Sequence, residues 1–379
     1  GAPRWLAISG AVLGLILLSF RLLPRPHLFT TALAGVFMVA LIRFTVTGRA
    51  WTLAPLPILM LFWVNAHGGF LVGFLLLGAF LIGAALGSRE FEDPRQAIRQ
   101  LAVVTGLCAV LSFLNPAGPA LWGHVTGYIG IDFLVGITLE YQSVNFHRSM
   151  GRVFFICLFA GPALWMTRRA RVTWLSAGLY LFFAAAALHS NRNVSFFAVA
   201  SLPWLGVWLR DFLAAGGSRE TAWLERLRRL DAVDSQLRPG FATLATIGMV
   251  TLALGPQSDL YRFDEAKFPV AAAEWLNEKA PPGPVFNQFR WGGYLLYEHP
   301  DIPVFIDGQT DFYGEELTRE YLTVLKANPG WDRVLEKHGV TWTFTRSSEP
   351  INQLLELDED WERVYEDDVT IAYRRQGSS

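Results

Sequence analysis

The chain is poor in charge and nearly without cysteine, and its first 255 residues contain no lysine at all. Only 17% of the 379 residues are charged and 52% are hydrophobic, a balance that argues against an ordinary soluble globular protein of this length. The two cysteines, Cys108 and Cys157, both lie inside apolar runs, which excludes a disulfide framework. No phosphate-binding glycine loop or nucleophile elbow is present, so a soluble nucleotide-dependent enzyme is not expected in the C-terminal part. No two histidines show ligand spacing such as His-x3-His, which argues against a histidine metal centre. The opening Gly-Ala-Pro-Arg-Trp lacks both Met and the features of a cleavable signal peptide, and we expect part of the N-terminus to lie upstream of Gly1.

What is present divides into two bodies of opposite charge. Residues 1–255 hold 20 arginines against 10 acids, whereas residues 256–379 hold 12 basic and 23 acidic side chains. The simplest organisation is a basic transmembrane domain, 1–255, followed by an acidic water-facing domain, 256–379. The acidic tail gives no support to nucleic acid as a partner.

A membrane-spanning helix needs roughly 20 mostly apolar residues, somewhat fewer when its ends are anchored. Nine segments are predicted to span: 5–20, 28–47, 51–66, 68–87, 97–114, 151–167, 172–189, 194–210 and 241–255. Segment 117–139 is apolar but broken by glycine and Asp132, and reads as a re-entrant or interfacial piece. Short cytoplasmic loops carry excess arginine. Placing Arg168, Arg169, Arg171 and the loop 210–240 inside puts 15 arginines inside and five outside, and delivers residues 256–379 to the extracytoplasmic side. The same alternation puts all five histidines of the membrane part (His27, His67, His124, His147 and His189) on the outer face.

Chemistry is therefore sought at that face. Arg21, Arg25, Arg148, Arg152 and Arg192 depart from the charge rule. Each can snorkel to headgroup phosphates, or together they can recognise an anion, because the planar guanidinium grips a phosphate bidentately. Arg192, flanked by Asn191 and Asn193 between two apolar helices, is the strongest single candidate. Asn65 and His67, beside Gly68 and Gly69, sit at a tight reversal where they either cap helices or bind a ligand. Carboxylates are scarce outside: only Asp132 and Glu140 remain, and Glu140, leading into the polar stretch to Arg148, is the better general base, with a solvated loop acid as the alternative.

In the tail, helical and extended patterns alternate. Strands are predicted near 284–287, 303–307 and 340–345, a hairpin joins 361–365 to 369–373, and helices are predicted near 270–276, 291–296 and within 314–338. Such alternation implies a mainly parallel α/β sheet with an antiparallel edge. Asn287, Trp291, Asp307, Gly308 and Asp311 fall at predicted strand ends, the usual ligand edge. Asp307 and Asp311 can bind a divalent cation or sugar hydroxyls, or can simply cap and close a turn.

The motifs Arg25-Pro-His-Leu-Phe, Trp63-Val-Asn-Ala-His-Gly-Gly, Leu114-Asn-Pro-Ala-Gly, Leu139-Glu-Tyr, Val285-Phe-Asn-Gln-Phe-Arg-Trp-Gly-Gly-Tyr-Leu and Phe305-Ile-Asp-Gly-Gln-Thr-Asp-Phe-Tyr-Gly resemble those of a group of bacterial polytopic membrane proteins. That group is similar to the GT-C superfamily of polyprenyl-phosphate-sugar-dependent glycosyltransferases. The resemblance spans nearly the whole chain and implies an inner-membrane enzyme that takes a polyprenyl-linked sugar lipid and passes its sugar to an extracytoplasmic acceptor. It would hold the donor phosphate with Arg192 and with Arg25 or Arg148. In GT-C enzymes an acid in the first long outer loop usually serves as base or metal ligand. No such loop precedes residue 28, so that acid is expected either upstream of Gly1 or not at all. Gln309 also departs from the pattern, which has a basic residue there. The alternative reading is a non-catalytic assembly or binding subunit whose outer domain docks a protein partner; a transporter ranks last, since membrane-embedded acids and paired broken helices are not evident.

Overall fold

The computed structural model describes residues 4–19, 26–128, 141–215, 263–279, 281 and 283–377. The chain divides into two compact units, Gly1–Ala242 and Thr243–Ser379.

The first unit is helical: α1 (Arg4–Leu18), α2 (His27–Thr47), α3 (Leu56–Ala66), α4 (Leu71–Ala85), α5 (Pro94–Leu111), α6 (Ala120–Tyr128), α7 (Ser149–Met166), α8 (Trp174–His189) and α9 (Val194–Ala214). Its boundaries follow local chemistry. Gly48, at φ 64, takes the left-handed conformation that ends α2 and donates its N–H to Phe44. Asp93 accepts the Gln96 N–H ahead of Pro94 at the start of α5, and Thr173 with Ser176 forms a capping box on α8.

The expectation of about nine spans is not supported. Among the described residues, four helices are long and apolar enough to cross a membrane: His27–Thr47, Gly68–Ala85, Ser149–Met166 and Asn191–Ala214. The α1, α3 and α8 helices have 15, 11 and 16 residues, short of a bilayer core at 1.5 Å per residue. The α5 helix has 18 residues but spends its first two turns on Arg95, Gln96, Arg99 and Gln100. The predicted span 241–255 lies outside the described residues. Large apolar side chains remain exposed around the bundle, among them Val39, Ile58, Ile82, Ile156 and Phe159, as on a surface that meets lipid rather than water.

The two ends of the bundle differ in chemistry. Glu90 accepts the Thr173 hydroxyl, Ser88 Oγ accepts the Leu175 N–H (3.1 Å), and Asp211 accepts the Arg171 N–H (3.3 Å). These bonds gather the arginine-bearing loops after α4, α7 and α9 at one end. Antiparallel α4 and α8 then carry the reversals at 65–70 and 189–193 to the opposite end, with the histidines.

One interior bond explains a proline. Pro162 inside α7 has no N–H to offer the Leu158 carbonyl one turn back. The Tyr180 hydroxyl of α8 fills the gap, donating to Leu158 O and Cys157 O at 2.8 Å each. Gly161 makes the approach possible, since a Cβ there would lie 2.5 Å from Tyr180 Cζ. Tyr180→Phe should therefore destabilise the bundle by roughly 1–3 kcal/mol, the cost of a buried carbonyl left unpaired. An unchanged thermal melt of the detergent-solubilised full chain would rule this out.

The second unit carries four strands, β1 (Val285–Asn287), β2 (Trp342–Arg346), β3 (Trp361–Glu366) and β4 (Thr370–Arg375), in the order β1-β2-β4-β3. Helices α10 (Val270–Leu276), α11 (Gly292–Glu298), α12 (Thr310–Leu325), α13 (Trp331–Lys337) and α14 (Ile351–Leu357) accompany them. The sheet is mixed, not mainly parallel: β1 and β2 pair in parallel, while β4 pairs antiparallel with both β2 and β3. The predicted strand 303–307 fails to form and makes a single parallel bridge, Val304 to Val285. Pro303 has no N–H for a ladder, and the next backbone groups are taken by a side chain. Asn287 Oδ1 accepts from Phe305 N (2.9 Å) and Ile306 N (3.3 Å), and Asn287 Nδ2 donates to Ile306 O (2.8 Å).

Candidate functional site

At the histidine-bearing end, the α8–α9 reversal is a single 3-10 turn, Asn191–Asn193. Asn193 Nδ2 donates to Ala186 O (2.9 Å) and closes the C-terminus of α8, so its amide holds the turn. The Asn191 N–H donates to Gln142 O (2.9 Å), which brings the segment following residue 140 against the turn. Arg192 is half-buried there. Its Nη1 donates to Tyr141 Oη at 2.6 Å, and its guanidinium carbon stands 5.5 Å from the Tyr141 ring centroid. No carboxylate pairs with Arg192 among the described residues. The phenol thus orients the cation without neutralising it, a cost at the end of an apolar bundle that an anion would relieve. Asn191 Oδ1, buried and without a hydrogen-bond partner among the described residues, lies in the same turn.

Tyr141 directly follows the proposed base Glu140 in the chain, but Glu140, Arg25, Arg21 and Asp132 all lie outside the described residues. Arg148 is exposed at the start of α7; among the described residues its guanidinium has no hydrogen-bond or ion-pair partner.

A second cluster sits at the α3–α4 reversal. Buried Thr30 accepts from Trp63 Nε1 (3.0 Å) and stands 2.8 Å from His67 Nδ1, which also accepts the Gly69 N–H (2.9 Å). With the Gly69 N–H aimed at Nδ1, the ring takes the Nε2–H tautomer and Thr30 donates to Nδ1. Gly69 is required by this closeness: a Cβ there would meet Thr30 Oγ1 at 2.5 Å. Asn65 Nδ2 donates to Leu61 O (2.9 Å) and Leu114 O (3.0 Å), tying α3 to the end of α5. These bonds hold the reversal together. No hydrogen bond among the described residues joins this cluster to Arg192.

In the second unit, the residues predicted at the strand ends are largely consumed by the fold. Asn287 is fully buried and bonded to the backbone as described. Trp291 is fully buried in the core, its Nε1 donating to Lys267 O (2.8 Å). Asp307 accepts the Gln309 N–H (2.8 Å) in a side-chain-closed turn. Burial and the neighbouring Asp307 carboxylate hold the Tyr313 hydroxyl above the usual tyrosine range. Asp311 lies in the first turn of α12. Gly308 follows Asp307 in the same turn, with open space where a Cβ would be. Among the described residues, no group of three or more His, Cys, Asp or Glu side chains is placed to hold a metal ion.

The polar edge of this sheet is made instead by residues the sequence reading passed over. Gln288 Nε2 donates to Glu349 Oε1 (3.0 Å), while Gln288 Oε1 and Arg346 Nε are buried without hydrogen-bond partners among the described residues. Gln288 follows β1 and Arg346 ends β2, so position past a strand end was a usable signal for both. Tyr141 and Thr30 carried no signal of their own, because each acts through a partner 51 or 37 residues away.

No family model matches this sequence, and no curated protein matches it.

Proposed function

We propose that the chain is a bacterial inner-membrane glycosyltransferase that takes its sugar from a polyprenyl-phosphate donor at the histidine-bearing end of the helical unit. The observation that carries this reading is Arg192: a half-buried guanidinium, oriented by Tyr141 and unopposed by a described carboxylate, at the end of a bundle with four helices of membrane-crossing length. A phosphate esterified to a lipid reaches that depth and suits the planar fork. Arg148 and Arg25 are the further phosphate ligands in this reading. In the reaction, an acceptor hydroxyl attacks the anomeric carbon, the bond from that carbon to the phosphate oxygen breaks, and polyprenyl phosphate departs. Glu140 takes the hydroxyl proton. The tail, on the extracytoplasmic side, selects the acceptor.

The test is binding and transfer by the purified full chain in lipid nanodiscs, with a polyprenyl-phosphate sugar. Arg192→Ala should weaken donor binding roughly 10- to 150-fold, the loss of a charge-assisted pair of hydrogen bonds; Arg192→Lys should recover only part, since a point charge cannot replace the fork. Wild-type binding and transfer by both variants would remove Arg192 from the site and end the proposal.

A second reading is favoured by one observation. Asn287, Trp291 and Asp307 are all committed to the fold of the second unit, as a domain that docks a partner rather than a small ligand would have them. A stoichiometric co-purifying protein, with no binding of the polyprenyl-linked sugar, would support a non-catalytic assembly subunit.

A further inference from the structure

The polar start of α5, which keeps it from qualifying as a span, faces a cleft. A cavity of about 310 Å³ lies between the Ala50–Leu53 turn and α5, where Gln96, Arg99, Gln100 and Val103 line it. It opens at the arginine-bearing end of the bundle. Gln96, Arg99, Gln100 and Val103 recur at spacings of three and four, so they share one side of the helix. The same side continues as Leu107 and Val110, and Val103, Leu107 and Val110 are 57%, 49% and 65% exposed. Headgroup chemistry at one end thus runs into an uncovered apolar stripe along the helix. Trp51, 64% exposed beside the cleft, has the placement of an interfacial aromatic.

Two polar groups define what fits. Arg99 is exposed and unpaired with any carboxylate among the described residues, since Asp93 caps the helix by accepting the Gln96 N–H (3.1 Å). Gln100 Oε1 is buried and has no hydrogen-bond partner among the described residues, and a buried acceptor of this kind calls for a donor. The occupant must bring an anion for Arg99, a hydrogen-bond donor for Gln100 and an apolar tail for the stripe.

We infer that this cleft is a binding site for one glycerophospholipid whose headgroup carries a hydrogen-bond donor beyond its phosphate, as phosphatidylethanolamine and phosphatidylglycerol do. The phosphate pairs with Arg99, the headgroup ammonium or hydroxyl donates to Gln100 Oε1, and one acyl chain follows Val103, Leu107 and Val110. The site rests on the membrane reading of the helical unit and is independent of glycosyl transfer.

The experiment is native mass spectrometry of the full chain, purified with equal phosphatidylethanolamine, phosphatidylglycerol and phosphatidylcholine, alongside flotation with vesicles of the same mixture. Wild type should retain a single phosphatidylethanolamine or phosphatidylglycerol in preference to phosphatidylcholine, which lacks the donor. Arg99→Ala should lower retention roughly tenfold, and Gln100→Leu should abolish the preference over phosphatidylcholine. Arg89→Ala, an exposed arginine outside the cleft, should change neither. Equal retention of phosphatidylcholine by wild type, or wild-type behaviour in both cleft variants, would overturn the site. Release of the lipid by excess inorganic phosphate would likewise overturn it in favour of a free-phosphate site. A chain that does not float would instead overturn the membrane reading beneath it.

Discussion

Asn287→Leu should lower the stability of the second unit by about 2–6 kcal/mol, which is a large share of the roughly 5–15 kcal/mol typical of a folded domain. The side chain is fully buried and fills almost all of its bonding capacity, accepting from Phe305 N and Ile306 N and donating to Ile306 O and Gln288 O. Leucine is similar in size but offers neither donor nor acceptor. Phe305 N–H keeps its second partner, Val285 O at 3.0 Å, so the main losses fall on the N–H and C=O of Ile306, each left unpaired in the core. Asn287→Asp keeps one acceptor but sets its second carboxylate oxygen against Ile306 O and Gln288 O in a buried site, and should destabilise at least as much as leucine. Thermal melting of the full chain, with limited proteolysis reporting on residues 263–377, separates the cases. A leucine variant as stable as wild type would show that the amide is dispensable to the fold and restore it as a ligand-binding candidate.

Gly292→Ala is the second large effect, and it acts on the same segment from the other side. A Cβ on Gly292 would stand 2.2 Å from Ile306 O and 2.7 Å from Asp307 Cα and Cβ. The first is a backbone atom that no rotamer change can move. Either the start of α11 or the 306–307 segment must shift, at about 1–3 kcal/mol for overpacking and more if the Asn287 bonds break with it. Gly293→Ala is the control: open space surrounds its Cβ position, and alanine favours a helix over glycine by about 1 kcal/mol. Because Asn287 and Gly292 both secure residues 305–307, the double variant should lose less than the sum of the two. Strict additivity, or a Gly292→Ala variant as stable as the Gly293→Ala one, would contradict this shared role.

Three features of the tail were legible in its sequence, each for a local reason. The hairpin was readable because apolar residues flank the turn-forming Glu366-Asp367-Asp368, and Asp367 indeed accepts from Val369 N (2.8 Å) and Thr370 N (2.6 Å). The short strand at Val285–Asn287 and the helix at Val270–Leu276 followed from composition alone. The 303–307 segment misled because Val-Phe-Ile reads as a buried strand whichever way its backbone is satisfied. Backbone pairing with Val285 stops after one bridge because a side chain 19 residues upstream, Asn287, takes the N–H and C=O of Ile306, and hydrophobic pattern has no access to that substitution. Asn287, Trp291 and Asp307 read as a ligand edge because they are polar or aromatic at strand ends, and that pattern does not name the partners each bonds within the fold.

The span count failed for a related reason. Apolar composition marks a buried helix and a lipid-facing helix alike, and α1, α3 and α8 are apolar but too short by themselves to cross a bilayer core.

By itself the sequence determined the helical character of the basic first part and the mixed helix-and-strand character of the acidic second part, most helical segments of the first, and the sorting of arginine-bearing from histidine-bearing loops. These depend on composition and short-range periodicity, which each stretch of chain carries within itself. The tertiary structure alone decided the mixed pairing of the sheet, the orientation of Arg192 by Tyr141, the Thr30–His67–Gly69 network, the rescue of the Leu158 carbonyl by Tyr180, and the cleft beside Gln100. Every one of these joins residues far apart in the chain or sets a cavity between elements, and hydrogen-bond satisfaction and void space are properties of packed neighbours that no local pattern encodes.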